Sequence, residues 1–359
     1  MPPKIPEHPS GETMKAVCFS KFGPTVDPTL ELRTNIPKPF ISSPNEILIR
    51  VHAAALNPID KIRVNGGLAT VKPEDHDQSI IGYDAAGVVQ EVGTDVQKFK
   101  VGDEVYARLS TEKMKYGSLA EYVVDDADSF GFKPSNVSFS EAAAVPLAGL
   151  TALQALRRGG VTKGSKVFIA GGAGGVGSLA IQIAKTMLGA SYVCTTASAG
   201  AGAELCQKLG ADRVIDYKSE DFSKVLEGED FNMAFDTCDE ASRMGGLLKQ
   251  GGKIVSISGT PTIEAIADAM GPPPMIFKIV MFFSRNRAAA KAAASKGGTW
   301  DYIFMKPSGQ DLDDIAVHLK SGAITVSIDT EAASLEEFKV AAEKLWSGRS
   351  KGKCVIKVV

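Results

Sequence analysis

Apolar and polar positions recur with two different periods along this chain, and the change of period divides it. Over the first 145 residues, Gly and Pro punctuate short apolar runs that read as β-strands: Lys15–Phe19, Glu46–Ala54, Ala86–Val92, Glu104–Ala107 and Ala120–Val124. The two-residue period is plainest where Ile47, Ile49 and Val51 alternate with Leu48, Arg50 and His52. From Ser140, with Glu141 behind it, an alanine-rich helical pattern runs past a bend at Pro146 to Arg158. Between Lys166 and Gly259 strand-like and helix-like segments alternate. Lys166–Ala170, Tyr192–Thr196, Arg213–Asp216, Met233–Asp236 and Lys253–Ser256 read as strands, with a helix Val176–Leu188 after the first. Such alternation predicts a doubly wound parallel sheet, hence an α/β fold. Further on, Trp300–Met305 reads as a strand, Leu312–Lys320 and Leu335–Trp346 as helices, and Cys354–Val359 as a final strand. No internal repeat is present.

Composition narrows the function classes. A 359-residue chain that is 44% hydrophobic and 23% charged is ordinary for a soluble protein of two domains. With 40 Lys and Arg against 42 Asp and Glu, nothing draws it to nucleic acid or anionic lipid. Cys18, Cys194, Cys206, Cys238 and Cys354 are scattered without a CxxC pair, which suits reduced thiols in a cytoplasmic protein. Residues 1–13 hold four prolines and no apolar run, so they read as a flexible arm, with the mature protein expected to start near Met14. The apolar stretch Met275–Phe283 is interrupted by Lys278 and falls short of the roughly 20 residues that span a bilayer. It reads instead as part of a lid, pocket wall or packed helix over residues 272–294, with attachment to a membrane surface as a lesser idea. His8, His52, His76 and His318 are dispersed and never at metal spacing.

The chemistry starts at Gly171-Gly172-Ala173-Gly174-Gly175-Val176-Gly177, which follows the strand Lys166–Ala170 and opens a helix. Gly172, Gly174 and Gly177 fit G-x-G-x-x-G in its strand-to-helix setting, where glycine allows a tight turn, close approach to pyrophosphate and close helix packing. N–H groups at the helix start, Gly175 and Val176 among them, then face phosphate. An acid that would bond the ribose of NAD is missing: Thr196-Ala197-Ser198-Ala199-Gly200 contains none before Glu204. That leaves room for NADPH, with Ser198 as a donor to its 2′-phosphate. Tyr217 and Lys218 are further candidates, and Arg349, Lys351 and Lys353 offer positive charge.

Asn57-Pro58-Ile59-Asp60, Gly82-Tyr83-Asp84, Gly102-Asp103, Gly149-Leu150-Thr151, the glycine loop, Gly210-Ala211-Asp212 and Gly352-Lys353, in this order, make the chain resemble a known family. It is similar to the zinc-free, zeta-crystallin-like quinone and enone oxidoreductases of the medium-chain dehydrogenase/reductase superfamily. The resemblance implies a Rossmann domain, 146–308, inserted in a β-rich GroES-like catalytic domain made of 14–145 and 309–359. It also implies that Asn57, Tyr83 and approximately Leu147 stand where zinc-dependent relatives carry metal ligands; none is a thiolate, imidazole or carboxylate, so no metal is expected. On this reading Asn57 and Tyr83 hydrogen-bond an acceptor's carbonyl oxygen, Tyr83 can pass a proton, and Asp60 orients its neighbours. Thr151 lies by the nicotinamide carboxamide and the backbone of Ser258 and Gly259 by its ribose. Relatives among plant enone reductases have a lysine one place after Lys61, which leaves Lys61 without an inherited role. The implied activity is reduction of a quinone or α,β-unsaturated carbonyl by hydride from NADPH. The alternatives are an enoyl-thioester reductase and a non-catalytic, crystallin-like NADPH-binding protein. A homodimer paired through the Trp300–Met305 strand is the expected assembly.

Overall fold

A computed structural model describes residues 8–68, 79–110, 116–271 and 286–359. His76, the Met275–Phe283 stretch and most of the 272–294 segment lie outside the described residues. The chain divides into two compact units, one of Met1–Leu147, Pro307–Ser321 and Val326–Val359, the other of Ala148–Lys306 and Gly322–Thr325.

The first stretch of chain supplies β1 (Thr13–Phe19), β2 (Leu30–Pro37), β3 (Glu46–Leu56), β4 (Ser79–Ile80), β5 (Asp84–Val92), β6 (Glu104–Arg108), β7 (Tyr122–Asp126) and β8 (Phe130–Phe132). The middle supplies β9 (Lys166–Ile169), β10 (Tyr192–Ala197), β11 (Arg213–Asp216), β12 (Phe231–Asp236), β13 (Leu248–Ser256) and β14 (Thr299–Tyr302). The end supplies β15 (Ile328–Ala332) and β16 (Lys353–Lys357).

In the first unit β2-β1-β4 form a small sheet, and β15-β16-β3-β5-β6-β8 with β7 on β3 form a larger one. The last strand of the chain thus pairs with β3, Cys354 opposite Leu56 and Ile356 opposite Ala54. One position departs from the alternating pattern: Leu48 is as buried as Ile47 and Ile49, while Arg50 on the same face of β3 is exposed. Val17, Ile49, Val89, Val105, Phe130, Phe338 and Ile356 belong to one apolar core here.

The helical run after residue 138 is two helices rather than one bent one. Ser138 caps the first, Phe139–Ala143, with Glu141 completing a capping box two residues ahead of the expected start. Pro146 begins the second, Pro146–Arg158, where a missing N–H costs nothing.

The second unit is a six-stranded parallel sheet in the order β11-β10-β9-β12-β13-β14. Its order reverses between β9 and β12, which makes the crevice beyond their C-terminal ends the place where such sheets bind ligands. The helix after β9 is α-helical over Gly175–Gln182, then widens to a π turn over Ile183–Met187 before Gly189, at φ +70, ends it. Gln182 holds the short return segment: its amide donates to Thr325 O (2.9 Å) and accepts from Thr325 N (2.8 Å).

Candidate functional site

In the first unit the segment Asn57-Pro58-Ile59-Asp60 turns β3 into the helix Pro58–Val64. Proline at the first helical position fixes φ, and the Asp60 carboxylate accepts the Asn57 N–H (2.7 Å), the return half of a capping box. Its other oxygen accepts the N–H of Gly82 (3.1 Å), so Asp60 ties the start of this helix to the glycine before Tyr83.

The Asn57 side chain does not cap its helix. Its Oδ1 accepts from the Lys353 ammonium, its Nδ2 donates to Asp84 Oδ2 (2.9 Å), and the same nitrogen lies 3.5 Å from Ala55 O. Only one orientation of the amide satisfies both an ammonium and a carboxylate, so the flip is decided by its partners. Lys353 also donates to Asp84 Oδ2 (3.1 Å), and Asp84 Oδ1 accepts from Leu147 N (2.8 Å). Asn57, Asp84 and Lys353 are all buried.

Two expectations change here. Asn57 was expected to donate to an acceptor's oxygen, but its amide is engaged on both sides within the protein. Lys353 was expected as positive charge for a phosphate; it is a buried partner of Asp84 instead, because β16 lies beside β3 and carries it inward. Lys61 takes a structural place, its ammonium on Trp346 O (2.9 Å) at the C-terminal end of the helix Phe338–Trp346, where a cation suits the helix dipole.

Tyr83 is buried, and its ring lies 5.1 Å from the Arg108 guanidinium carbon and 5.9 Å from that of Arg63. Both arginines are buried, Arg63 donating to Ile80 O and Arg108 to Leu109 O, each at 2.8 Å. Sequence reasoning named Asp84 only as part of the Gly82-Tyr83-Asp84 segment, without a role, and did not single out Arg63 or Arg108. A charged residue closing the apolar run of β6 was the available signal for Arg108.

Burial is the main cause that pushes the Asp60 carboxyl up to about 7, with the Asp84 charge adding to it and the Asn57 N–H, Arg63 and Lys353 opposing it. Unfolded, the group loses its proton near 3.8. Between those values the folded protein holds a proton that the unfolded chain has released, so stability falls as pH rises from about 4 to about 7 and is level above. Denaturant midpoints across this range will show that slope in the wild type and its loss in Asp60→Asn.

In the second unit the crevice is lined by loops from β9, β10, β12 and β13. Gly171 N donates to Thr196 Oγ1 and Gly172 N to Thr196 O, each at 2.9 Å, which bends the loop back over β10. Thr237, after β12, donates to Ala170 O (2.7 Å). A Cβ on Gly172 would stand 2.2 Å from Thr195 Oγ1, and one on Gly177 would stand 2.2 Å from the carbonyl oxygen of Gly171. At Gly174, the helix N-cap, an added Cβ would meet only Gly171 O at 3.3 Å. The loop therefore has an open side at Gly174 and the N–H groups of a two-turn helix behind it, the kind of turn on which phosphate groups can be held.

Ser198 follows β10 in the turn that leads to the helix Ala201–Lys208, and Tyr217 is exposed just past β11. One acid does stand beside that turn, on the neighbouring strand. Asp216 pairs with Ala197 and accepts from Lys218 N (3.2 Å), Ser219 Oγ (2.9 Å) and the backbone of Ala199, which hold its carboxyl below the usual range. Ser258 and Gly259 follow β13, with Gly259 at φ +81 close to Asp239. Thr151 is buried on its helix, and Arg349 is exposed on the turn before β16. Among the described residues no group of three or more His, Cys, Asp and Glu is placed to hold a metal.

Residues 43–154 match the family model described as alcohol dehydrogenase GroES-like domain, and residues 209–356 the one described as zinc-binding dehydrogenase. The chain is 35% identical over 349 residues to 2-methylene-furan-3-one reductase of Solanum lycopersicum, covering 96% of this chain and 79% of that protein. It is 42% identical over 257 residues to the chloroplastic NADPH-dependent alkenal/one oxidoreductase of Arabidopsis thaliana, covering 69% and 64%. Among solved structures, the quinone oxidoreductase of Coxiella burnetii superimposes with a TM-score of 0.79 at 33% identity, covering 97% of this chain and all of that one. With the glycine loop and the parallel sheet, these likenesses show that the chain belongs to the medium-chain dehydrogenase/reductase superfamily, among its quinone and enone oxidoreductases.

Proposed function

We propose that this protein reduces α,β-unsaturated carbonyls or quinones at the expense of NADPH, without zinc. The observation that supports the reading is the Lys353–Asn57–Asp84 cluster, a buried ammonium held against Asn57, a position that by resemblance carries a metal ligand in zinc-dependent relatives. When bound, the nicotinamide supplies a hydride to the acceptor. Conjugation passes the resulting charge to the acceptor's oxygen, so less Lewis acid is needed than for a simple alcohol or ketone.

The protein's own groups then have these roles. Lys353 donates one hydrogen bond to Asn57 and one to Asp84; its third N–H is assigned to the oxygen on which charge develops, in surroundings dry enough to strengthen that bond. Asn57 and Asp84 hold the ammonium in place, and Asp60 holds Asn57 and Gly82. The backbone of Gly172, Gly174, Gly175, Val176 and Gly177 holds the pyrophosphate. Thr151, Ser258 and Gly259 are assigned to the nicotinamide end, and Ser198, Tyr217 and Lys218 to the 2′-phosphate. Arg349 is kept as a candidate for the same phosphate. The NADPH preference is supported by the lack of an acid on the Ser198–Gly202 turn and by the engagement of the one nearby acid, Asp216. It predicts a KM for NADPH well below that for NADH, and a narrowed gap in Lys218→Glu.

The test is an acceptor screen under saturating NADPH, with simple quinones, enones, reactive aldehydes and a crotonyl thioester. Turnover of the thioester above all others would favour an enoyl-thioester reductase, a reading supported by 30% identity over 364 residues to a trans-enoyl reductase of Aspergillus terreus. Tight NADPH binding with no oxidation by any acceptor would leave a cofactor-binding protein. The reading includes a homodimer, supported by β14 as the edge of its sheet among the described residues. Light scattering will give twice the subunit mass; a single mass refutes it. It also includes a cytoplasmic location, supported by five free thiols and tested by cell fractionation.

A further inference from the structure

Arg108 is a buried guanidinium with too few partners. Its Nη1 donates to Leu109 O, its Nε has no hydrogen-bond partner, and it forms no ion pair among the described residues. A buried charge in that condition is costly, and where one persists it marks a strained or catalytic place. The neighbouring carboxylates are committed elsewhere: Asp84 to Lys353, Asn57 and Leu147 N, Asp60 to the N–H groups of Asn57 and Gly82, and Asp125 to those of Ser110 and Asp126. What lies over Arg108 is the ring of Tyr83 at 5.1 Å, with Arg63 at 5.9 Å from the same ring.

We propose that Arg108, assisted by Arg63, is a positioning residue that stabilises the phenolate of Tyr83 and so makes Tyr83 the proton donor of the reduction. This rests on the activity proposed above. Hydride addition to the β-carbon of an enone leaves an enolate. The Tyr83 O–H bond then breaks as a C–H bond forms at the α-carbon, the electron pair staying on the phenol oxygen. Solvent water later restores that proton. Donation is eased where the negative charge left on the phenol oxygen is offset, and the two guanidinium groups do this in a medium that screens them little.

The first measurement needs no acceptor. Tyrosinate absorbance is titrated in the wild type and in Arg108→Met and Arg108→Lys, each with and without Tyr83→Phe, so that the difference isolates Tyr83. The midpoint for Tyr83 will rise by about one pH unit or more in Arg108→Met and return most of the way in Arg108→Lys. With an acceptor that turns over, the basic limb of kcat will move upward in parallel, and Tyr83→Phe will remove that limb and lower the plateau by about 100-fold. If Arg108→Met does not fold, Arg63→Lys and Arg108→Lys carry the same comparison through smaller displacements. A Tyr83 midpoint unmoved in the Arg108 variants overturns the proposal, as does a basic limb that survives Tyr83→Phe. An empty acceptor screen would instead sink the reductase reading, while the titration would still report on the arginines.

Discussion

Replacing Gly174 by alanine will leave the unliganded protein as stable as the wild type and weaken NADPH by about 10- to 100-fold, whereas Gly177→Ala will cost both stability and binding. The two positions differ in what a methyl group meets. At Gly174 the backbone has an ordinary φ of −77 and the added carbon finds only Gly171 O at 3.3 Å, so the fold has room. The methyl group would instead stand where the pyrophosphate must approach the backbone, and that loss appears only when ligand is present. At Gly177 the obstacle is backbone: Gly171 O at 2.2 Å and Gly172 Cα at 2.7 Å. Neither can rotate away, so the loop must shift off the helix and the free protein will lose on the order of 1–3 kcal/mol. Thermal melts without ligand and fluorescence titration with NADPH separate the two effects. An alanine at 174 that binds NADPH as the wild type does would show that the loop is only a packing turn.

Lys353→Met will lower kcat by roughly 100- to 1000-fold and destabilise the fold by about 3–5 kcal/mol. The stability loss follows from Asp84, which has no exposed surface and would be left without the ammonium beside it. A double variant, Lys353→Met with Asp84→Asn, will therefore recover much of the stability and none of the rate, because it removes the stranded carboxylate but supplies no cation. Lys353→Arg keeps the charge in a bulkier and planar form and will fall between them in kcat. Urea unfolding of the wild type, Lys353→Met, Asp84→Asn and the double variant, with steady-state rates at saturating NADPH, gives the coupling between residues 353 and 84 directly. Equal loss of rate in Lys353→Arg and Lys353→Met would argue that packing, not charge, is what the position contributes.

The parallel sheet was legible because its strands carry their own punctuation: an apolar run, a glycine turn and a helix, repeated. The glycine loop was legible for the same reason, since the turn, the close approach and the helix start are local events within seven residues. Tyr83 and Asn57 were found only through the resemblance, and nothing in their local pattern shows that one amide is locked between an ammonium and a carboxylate. That fact needs β16 beside β3, a pairing of residues some 300 positions apart. The helix start was read two residues late, at Ser140, because Ser140 and Ser138 both precede acidic or apolar helix formers, and only the hydrogen bond that Glu141 N donates to Ser138 Oγ decides between them.

Local chemistry along the chain was thus enough to specify the glycine loop and the α/β sheet, while the places of Asn57 and Tyr83 came from the resemblance. Tertiary structure decided which charges meet in the dry interior: Lys353 with Asp84, and Arg63 and Arg108 with Tyr83. The reason is physical. Backbone turns and periodicity depend on neighbours in sequence, while the energy of a buried charge depends on whatever the fold brings within a few ångströms of it.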